Sequence, residues 1–198
     1  VITLHTQRLA LRRWLPGDLE PMAAVNADPE VMRWIGSGAT RSLTQTASGI
    51  SAWEQEWDIE GFGLFAVELR DSGELAGFTG LSVPHFLPEV LPAVEIGWRL
   101  GRPYWGRGIA TEAARAALDY GFRERGLERI ISIAQRGNEA SERIMRKLGM
   151  RPYRETVDPT CGRAVRVYVI DAPGSAVGRP APRSADVSGT GGSGTADS

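Results

Sequence analysis

Cysteine occurs once in these 198 residues, at Cys161, so no disulfide can form within the chain. Histidine is almost as scarce. His5 and His85 stand far apart, and with a single thiol they offer no zinc-ligand spacing, so no metal is expected. No run of about 18 apolar residues is present, and no segment reads as crossing a membrane. Val1 to Arg13 lacks the long apolar core and small-residue cleavage site of a secretory leader. An excess of one charge is missing too: 23 basic against 24 acidic residues leave a net charge of −1, which argues against holding nucleic acid by bulk electrostatics. Together these absences suit a cytoplasmic protein with no metal, nucleic acid or membrane to hold. Cys161 lies in Asp158-Pro159-Thr160-Cys161-Gly162, where turn chemistry competes with the reading of a nucleophilic thiol.

What is present is a globular composition, with 42% hydrophobic and 24% charged residues in a length that suits one domain. The composition changes near Asp171. Residues 172–198 are rich in Gly, Ser, Ala and Pro, have no Leu, Ile or aromatic residue, and cannot bury enough apolar area to offset ordering; a flexible tail is expected there. The folded body is then 1–171.

Within the body, Thr6 to Trp14 reads as a first strand and Leu19 to Asn26 as a helix capped by Asp18. Asp28-Pro29 starts a short helix through Trp34, with aspartate at the cap and proline at the first helical position. Ser42 and Gln45 have capping-box spacing for a third helix, which carries Ile50, Trp53 and Trp57 on one face. Two strands about Asp71-Ser72-Gly73 form a hairpin, and a strand follows at Ala93 to Leu100. A helix of small residues (Ala110, Ala113, Ala114, Ala117) is predicted from near Thr111, and should lie close against a sheet. A strand at Ile130 to Ala134, a helix at Asn138 to Leu148 stopped by Gly149, and a last strand at Val165 to Ile170 complete the order. Hairpins followed by a strand–helix–strand unit indicate an α+β fold, not a doubly wound parallel sheet.

Between the strand ending at Leu100 and the small-residue helix lies Trp105-Gly106-Arg107-Gly108-Ile109-Ala110-Thr111. A glycine-containing loop before a helix exposes consecutive backbone N–H groups at the helix's positive end, a site suited to phosphate. The dinucleotide fingerprint fails here: its third glycine position is Thr111, and Gly101 to Trp105 separates the strand from the loop. A P-loop fails for want of Gly-Lys-Ser/Thr.

The strand Val94-Glu95-Ile96-Gly97-Trp98, this loop, Asn138-Glu139-Ala140-Ser141 and Lys147-Leu148-Gly149-Met150 follow one another in an order that resembles the GNAT superfamily of N-acetyltransferases. Thr6-Gln7-Arg8-Leu9-Ala10-Leu11-Arg12 is similar to the branch containing the Rim-type ribosomal-protein N-terminal acetyltransferases. The resemblance covers Thr6 to Ile170. It implies a mixed, mostly antiparallel central sheet with helices on both faces, and acetyl-coenzyme A (or another acyl-coenzyme A) as co-substrate. In the family's loop pattern Trp105, Gly108 and Ala110 fill the marked places, and Trp105 departs from the usual Gln or Arg. By the same resemblance Gly106, Arg107, Gly108, Ile109, Ala110 and Thr111 surround the pyrophosphate. Trp98 and Leu100 lie beside the pantetheine arm, and Asn138 contacts that arm.

The implied reaction is attack by an amine on an acyl thioester, which needs a proton acceptor, an oxyanion donor and an acid for the leaving thiolate. The resemblance points to Glu95 as the acceptor of the proton. Strand alternation turns it away from Val94 and Ile96, toward water or toward the site. Met145 stands where many members carry an acidic tyrosine, so Ser141 takes the acid's place, with Tyr168 and Tyr153 in reserve. Ser141 as a simple first-turn serine is the alternative. The acceptor pocket is expected between Trp34 to Arg41 and the Pro84 to Pro92 loop. Trp34, Trp53, Trp57 and Phe86 serve either as its lining or as core, and Glu54, Glu56, Asp58 and Glu60 either attract a cationic amine or form a solvated face. A protein N-terminus, a peptide or a small amine such as an aminoglycoside or polyamine remain open as acceptor, as does a non-catalytic acyl-coenzyme A sensor. A monomer or a homodimer is expected.

Overall fold

The computed structural model describes residues 2–174, so most of the expected tail lies outside the described residues. Eight strands form one sheet in the order β1-β2-β3-β4-β5-β6-β8-β7, antiparallel at every junction except the parallel β5–β6 pair. The strands are β1 (Thr3–His5), β2 (Leu9–Arg12), β3 (Leu64–Leu69), β4 (Leu75–Ser82), β5 (Glu95–Leu100), β6 (Arg129–Gln135), β7 (Arg151–Val157) and β8 (Ala164–Asp171). The helices are α1 (Leu19–Ala27), α2 (Pro29–Met32), α3 (Leu43–Glu60), α4 (Ile109–Arg123) and α5 (Glu139–Lys147).

Helices cover both faces of the sheet. On one, α1 and α3 bring Met22, Val25 and Trp53 onto Leu64, Ala66 and Phe78. On the other, α4 and α5 lie over Leu9, Leu11, Phe65, Val67, Ile96 and Leu100. Small residues let α4 approach closely: Ala113, Ala114 and Ala117 are fully buried, and a Cβ added at Gly121 would come 2.9 Å from Ile130 Cδ1. The Ser42–Gln45 capping box forms with both of its hydrogen bonds, and Asp28 accepts from the Glu30 N–H as the cap of α2.

Three expectations need correction. The first strand is a hairpin, because Thr6 turns the chain: its N–H donates to the Leu9 carbonyl at 2.9 Å and its hydroxyl accepts from the Leu9 N–H at 3.0 Å. Asp18 precedes α1 but its side chain does not cap it. Both carboxylate oxygens are taken by Arg12 at 2.7 and 2.9 Å, and one also accepts from the Leu15 N–H. Finally, β7 has no counterpart in the sequence reading. It is an edge strand with almost every residue exposed, so no buried-face alternation marks it.

Candidate active site

The parallel pair β5–β6 creates the site. Its register holds at one position, Glu95 opposite Ile131, where the Ile131 N–H donates to the Val94 carbonyl at 2.9 Å. The Ser132 hydroxyl then donates to the Ile96 carbonyl at 2.9 Å, and beyond it the strands part. From Gly97 to Leu100, β5 keeps β4 on one side and has no strand on the other. This fork opens into a cleft of about 510 Å³, walled by Trp98, Leu100, the loop after β5, the start of α4, Asn138, Ser141 and the α2 region at Trp34.

Local conformation shapes the loop. Gly106 and Gly108 both have left-handed backbones, at φ of 71° and 76°. A Cβ at Gly106 would meet nothing within 4 Å, so glycine is needed there for its backbone freedom and not for space. Gly108 occupies the N-cap position of α4 with no side-chain cap, which leaves the first-turn N–H groups uncovered at the positive end of a 15-residue helix. The loop is braced from behind. Glu112 accepts from the Thr6 hydroxyl at 2.6 Å, the Arg8 N–H at 3.0 Å and Arg8 Nε at 2.7 Å, while Arg8 Nη1 donates to the Arg107 carbonyl at 2.9 Å. Trp105 has a tethering role: its indole N–H donates to the Leu100 carbonyl at 2.8 Å, joining the loop to the end of β5.

Of the residues assigned to the co-substrate, Trp98, Leu100, Trp105, Gly106, Gly108, Ile109, Ala110, Thr111 and Asn138 line this cleft. Arg107 does not: its guanidinium stands 6.0 Å over the Tyr104 ring. Asn138 Oδ1 accepts from the Ser141 N–H at 3.2 Å and so caps α5. The Ser141 side chain lines the cleft, and its hydroxyl has no hydrogen-bond partner among the described residues. Tyr168 is occupied elsewhere, donating to Glu142 at 2.9 Å, and Tyr153 is exposed on the edge strand.

Glu95 lies at the crotch of the fork, three residues before Trp98, and not on the cleft wall itself. Burial pushes its carboxyl up to about 8, against a lowering hydrogen bond from the Ile133 N–H and with a further raising contribution from the negative charge of Glu56. Glu56 is held by the Val83 N–H at 2.8 Å, so one residue of the acidic run turns inward toward the fork. Two others are consumed by Arg13, with Glu54 at 2.7 Å and Asp58 at 3.1 Å. Trp53 and Trp57 are core residues, 4.9 Å from the Phe78 ring and 4.7 Å from the Phe65 ring, whereas Trp34 reaches the cleft. The sequence reading missed the Arg8–Glu112 brace, the approach of Glu56 to Glu95 and the buried Arg99. Pairings between distant segments leave no local periodicity to read. Among the described residues no cluster of side chains could hold a metal ion, and no helix is long and apolar enough to cross a membrane.

The forked sheet beside an uncapped helix start forms a cleft suited to an extended, phosphate-bearing ligand, and the comparisons name the family that builds it. An acetyltransferase (GNAT) domain model matches residues 8–151, and the chain belongs to that family. An uncharacterized N-acetyltransferase of Bacillus subtilis, YoaA, is 32% identical over 148 residues, covering 75% of this chain and 82% of its own. A GNAT-family acetyltransferase structure from Bacillus anthracis superposes with a TM-score of 0.72 at 26% identity, covering 86% of this chain and 98% of that one. The structure of RimL, a ribosomal-protein acetyltransferase in complex with coenzyme A, superposes with a TM-score of 0.70 over 86% of this chain and 98% of its own; at 14% identity it speaks for the fold alone. The chain is an acetyl-coenzyme A-dependent N-acetyltransferase. Coenzyme A fits what is observed: uncovered N–H groups for the pyrophosphate, an unpaired strand flank for the amide-bearing arm, and Arg143 and Lys147 on the rim for further phosphate charge.

Proposed function

We propose that residues 1–171 transfer the acetyl group of acetyl-coenzyme A directly to a primary amine in a ternary complex, with Glu95 as proton acceptor and Ser141 as acid. The observation that carries this reading is the place of Glu95 at the fork, opposite Ile131 where β5 and β6 part, with its carboxyl pushed up to about 8 by burial. A carboxylate of that basicity is well matched to an alkylammonium, because proton transfer between groups of similar pKa needs little driving force. The ammonium gives its proton to ionised Glu95, the free amine nitrogen bonds to the acetyl carbon, the carbon–sulfur bond breaks, and the nitrogen's second proton passes to solvent as the neutral amide forms. Glu95 then returns its own proton to solvent. The thiolate takes a proton from Ser141, which recovers one from solvent. Uncommitted backbone N–H groups along the open flank of β5 supply the oxyanion contact.

Glu95 replaced by Gln tests the assignment. Thiol release should fall by about 100- to 10,000-fold while coenzyme A still binds. The wild-type rate should rise with pH to a plateau, with an inflection near 8 that stays put when amines of different basicity are used. Unchanged turnover in the variant removes Glu95 from the reaction. Coenzyme A binding without turnover of any amine makes the protein a sensor.

A further inference from the structure

Glu95 is not the only charged side chain that β5 carries to the sheet face under α1 and α3. Glu95, Gly97 and Arg99 alternate onto that face, while Ile96, Trp98 and Leu100 face α4. Arg99 is 8% exposed, and its guanidinium lies 5.1 Å over the Phe78 ring. Nη1 donates to Asn26 Oδ1 at 2.6 Å, and Asn26, fully buried, is oriented by donating from Nδ2 to the Thr46 hydroxyl at 3.0 Å. Nε has no partner at all. It is the one buried side-chain nitrogen or oxygen so left among the described residues.

Two buried acids are treated differently: Asp18 is paired with Arg12, and Glu142 with Arg166 and Tyr168. Arg99 has no carboxylate partner among the described residues, and a second cation stands near it. Arg41 comes close enough that its charge adds to burial in lowering Arg99 to about 9. The Arg41 N–H donates to the Asn26 carbonyl at 2.9 Å, which ties this segment to the residue that holds the buried guanidinium. Two neighbouring cations, one of them buried and under-bonded, are costly unless an anion joins them. Arg99 also lines the cleft, and a Cβ added at Gly97, between it and Glu95, would meet nothing within 4 Å. Open space therefore separates the proton acceptor from the cation along one strand face.

We infer that Arg99, assisted by Arg41, binds a carboxylate carried by the acceptor, which is thus an amine bearing a carboxylate, with its amino end at Glu95. The inference rests on the acetyl-transfer reading above. About 13 Å of strand separates the two Cα atoms, and the two side chains take up part of it, which suits an acceptor of amino-acid to short-peptide size. A polyamine would bring further positive charge against both arginines, so the site discriminates against it. The carboxylate can come from the main chain of a free amino acid or from an acidic side chain of a short peptide.

The test uses the full chain with acetyl-coenzyme A and three sets of amines: free amino acids and short acidic peptides, the same compounds with their carboxylates amidated, and spermidine. Carboxylate-bearing amines should be turned over in preference to their amides and to spermidine, and whichever of the two carboxylate sources reacts names the origin. Arg99→Gln should raise the KM of the carboxylate-bearing amine by roughly 10- to 100-fold, with kcat and the KM of acetyl-coenzyme A little changed. Arg41→Gln should raise it several-fold. Because the buried cation has no carboxylate partner among the described residues, Arg99→Met should hold or raise Tm. Equal use of amide and carboxylate overturns the inference, as does preference for spermidine, an Arg99→Gln effect confined to acetyl-coenzyme A, or a fall in Tm for Arg99→Met with no change in acceptor KM. Coenzyme A binding with no turnover of any carboxylate-bearing amine also overturns it. Failure to bind coenzyme A overturns the acetyl-transfer reading instead.

Discussion

The two ends of the cleft are built on opposite principles. At the loop end, backbone conformation makes the site: Gly106 and Gly108 set the turn, and the uncovered N–H groups of α4 face outward. The charges behind it are satisfied, with Glu112 fully occupied by Thr6 and Arg8. At the fork end, side chains make the site, and its charges are held out of balance. Glu95 is raised and Arg99 lowered by burial, and neither faces an opposite charge. The loop end thus offers backbone donors that do not depend on side-chain type, while the fork end is adjustable residue by residue. A departure such as Trp105 costs little, because its indole serves as a tether and leaves the N–H groups available.

Four substitutions sharpen the contrast, in falling order of effect. Glu95→Gln strikes the side-chain end, with the loss in kcat given above. It should also change stability. The folded Glu95 binds its proton more tightly than the unfolded group, so its contribution is complete in acid and is lost as pH rises through about 8. The variant should gain roughly 2 kcal/mol on wild type above pH 8, and an equal urea midpoint for both proteins there would show that the carboxyl is not desolvated. Gly108→Val strikes the backbone end: the left-handed conformation costs a branched residue about 1–3 kcal/mol, and the Kd of coenzyme A, followed by calorimetry, should rise about tenfold with acceptor KM untouched. If both constants rise together, the two ends are not independent.

Ser141→Ala should lower kcat by about tenfold, with binding of both substrates retained, since only the Ser141 N–H serves the helix cap. Unaltered kcat would reduce Ser141 to a lining residue. The smallest effect belongs to Glu112→Gln, which slackens the brace. Burial tends to raise Glu112, but the hydrogen bonds from Thr6 and Arg8 outweigh it and keep the carboxyl below its usual range. Its stabilisation, about 1 kcal/mol for a half-exposed pair, is thus present at neutral pH and lost as pH falls through that lowered value. Thermal melts of variant and wild type should converge in acid, and coenzyme A affinity should weaken only a few-fold.

Features that depend on neighbours in the chain were legible in advance. The Ser42–Gln45 box, the Asp28-Pro29 start, the two glycines before α4 and the small-residue face of that helix each lie within one or two turns, and the chain alone specifies them. Asp18 shows the limit. Its type and place suit a cap, but Arg12 competes for the same oxygens across a strand boundary and wins with a bidentate pair. Strand β7 shows another: an exposed edge strand is specified by the backbone of β8 beside it, and its own residues carry no pattern.

The sequence by itself determined most of the elements, the family and the glycine turn before α4, because helix starts, turns and apolar periodicity are local consequences of residue type. Tertiary structure alone decided how the fork is built. The parting of β5 from β6 after a single register position, the convergence of Glu56 on Glu95, and the burial of Arg99 beneath Asn26 beside Arg41 join segments dozens of residues apart. Burial also changes what those charges do. In water each is an ordinary glutamate or arginine, and only in the folded sheet does loss of solvent raise the proton affinity of one and leave the other short of an anion.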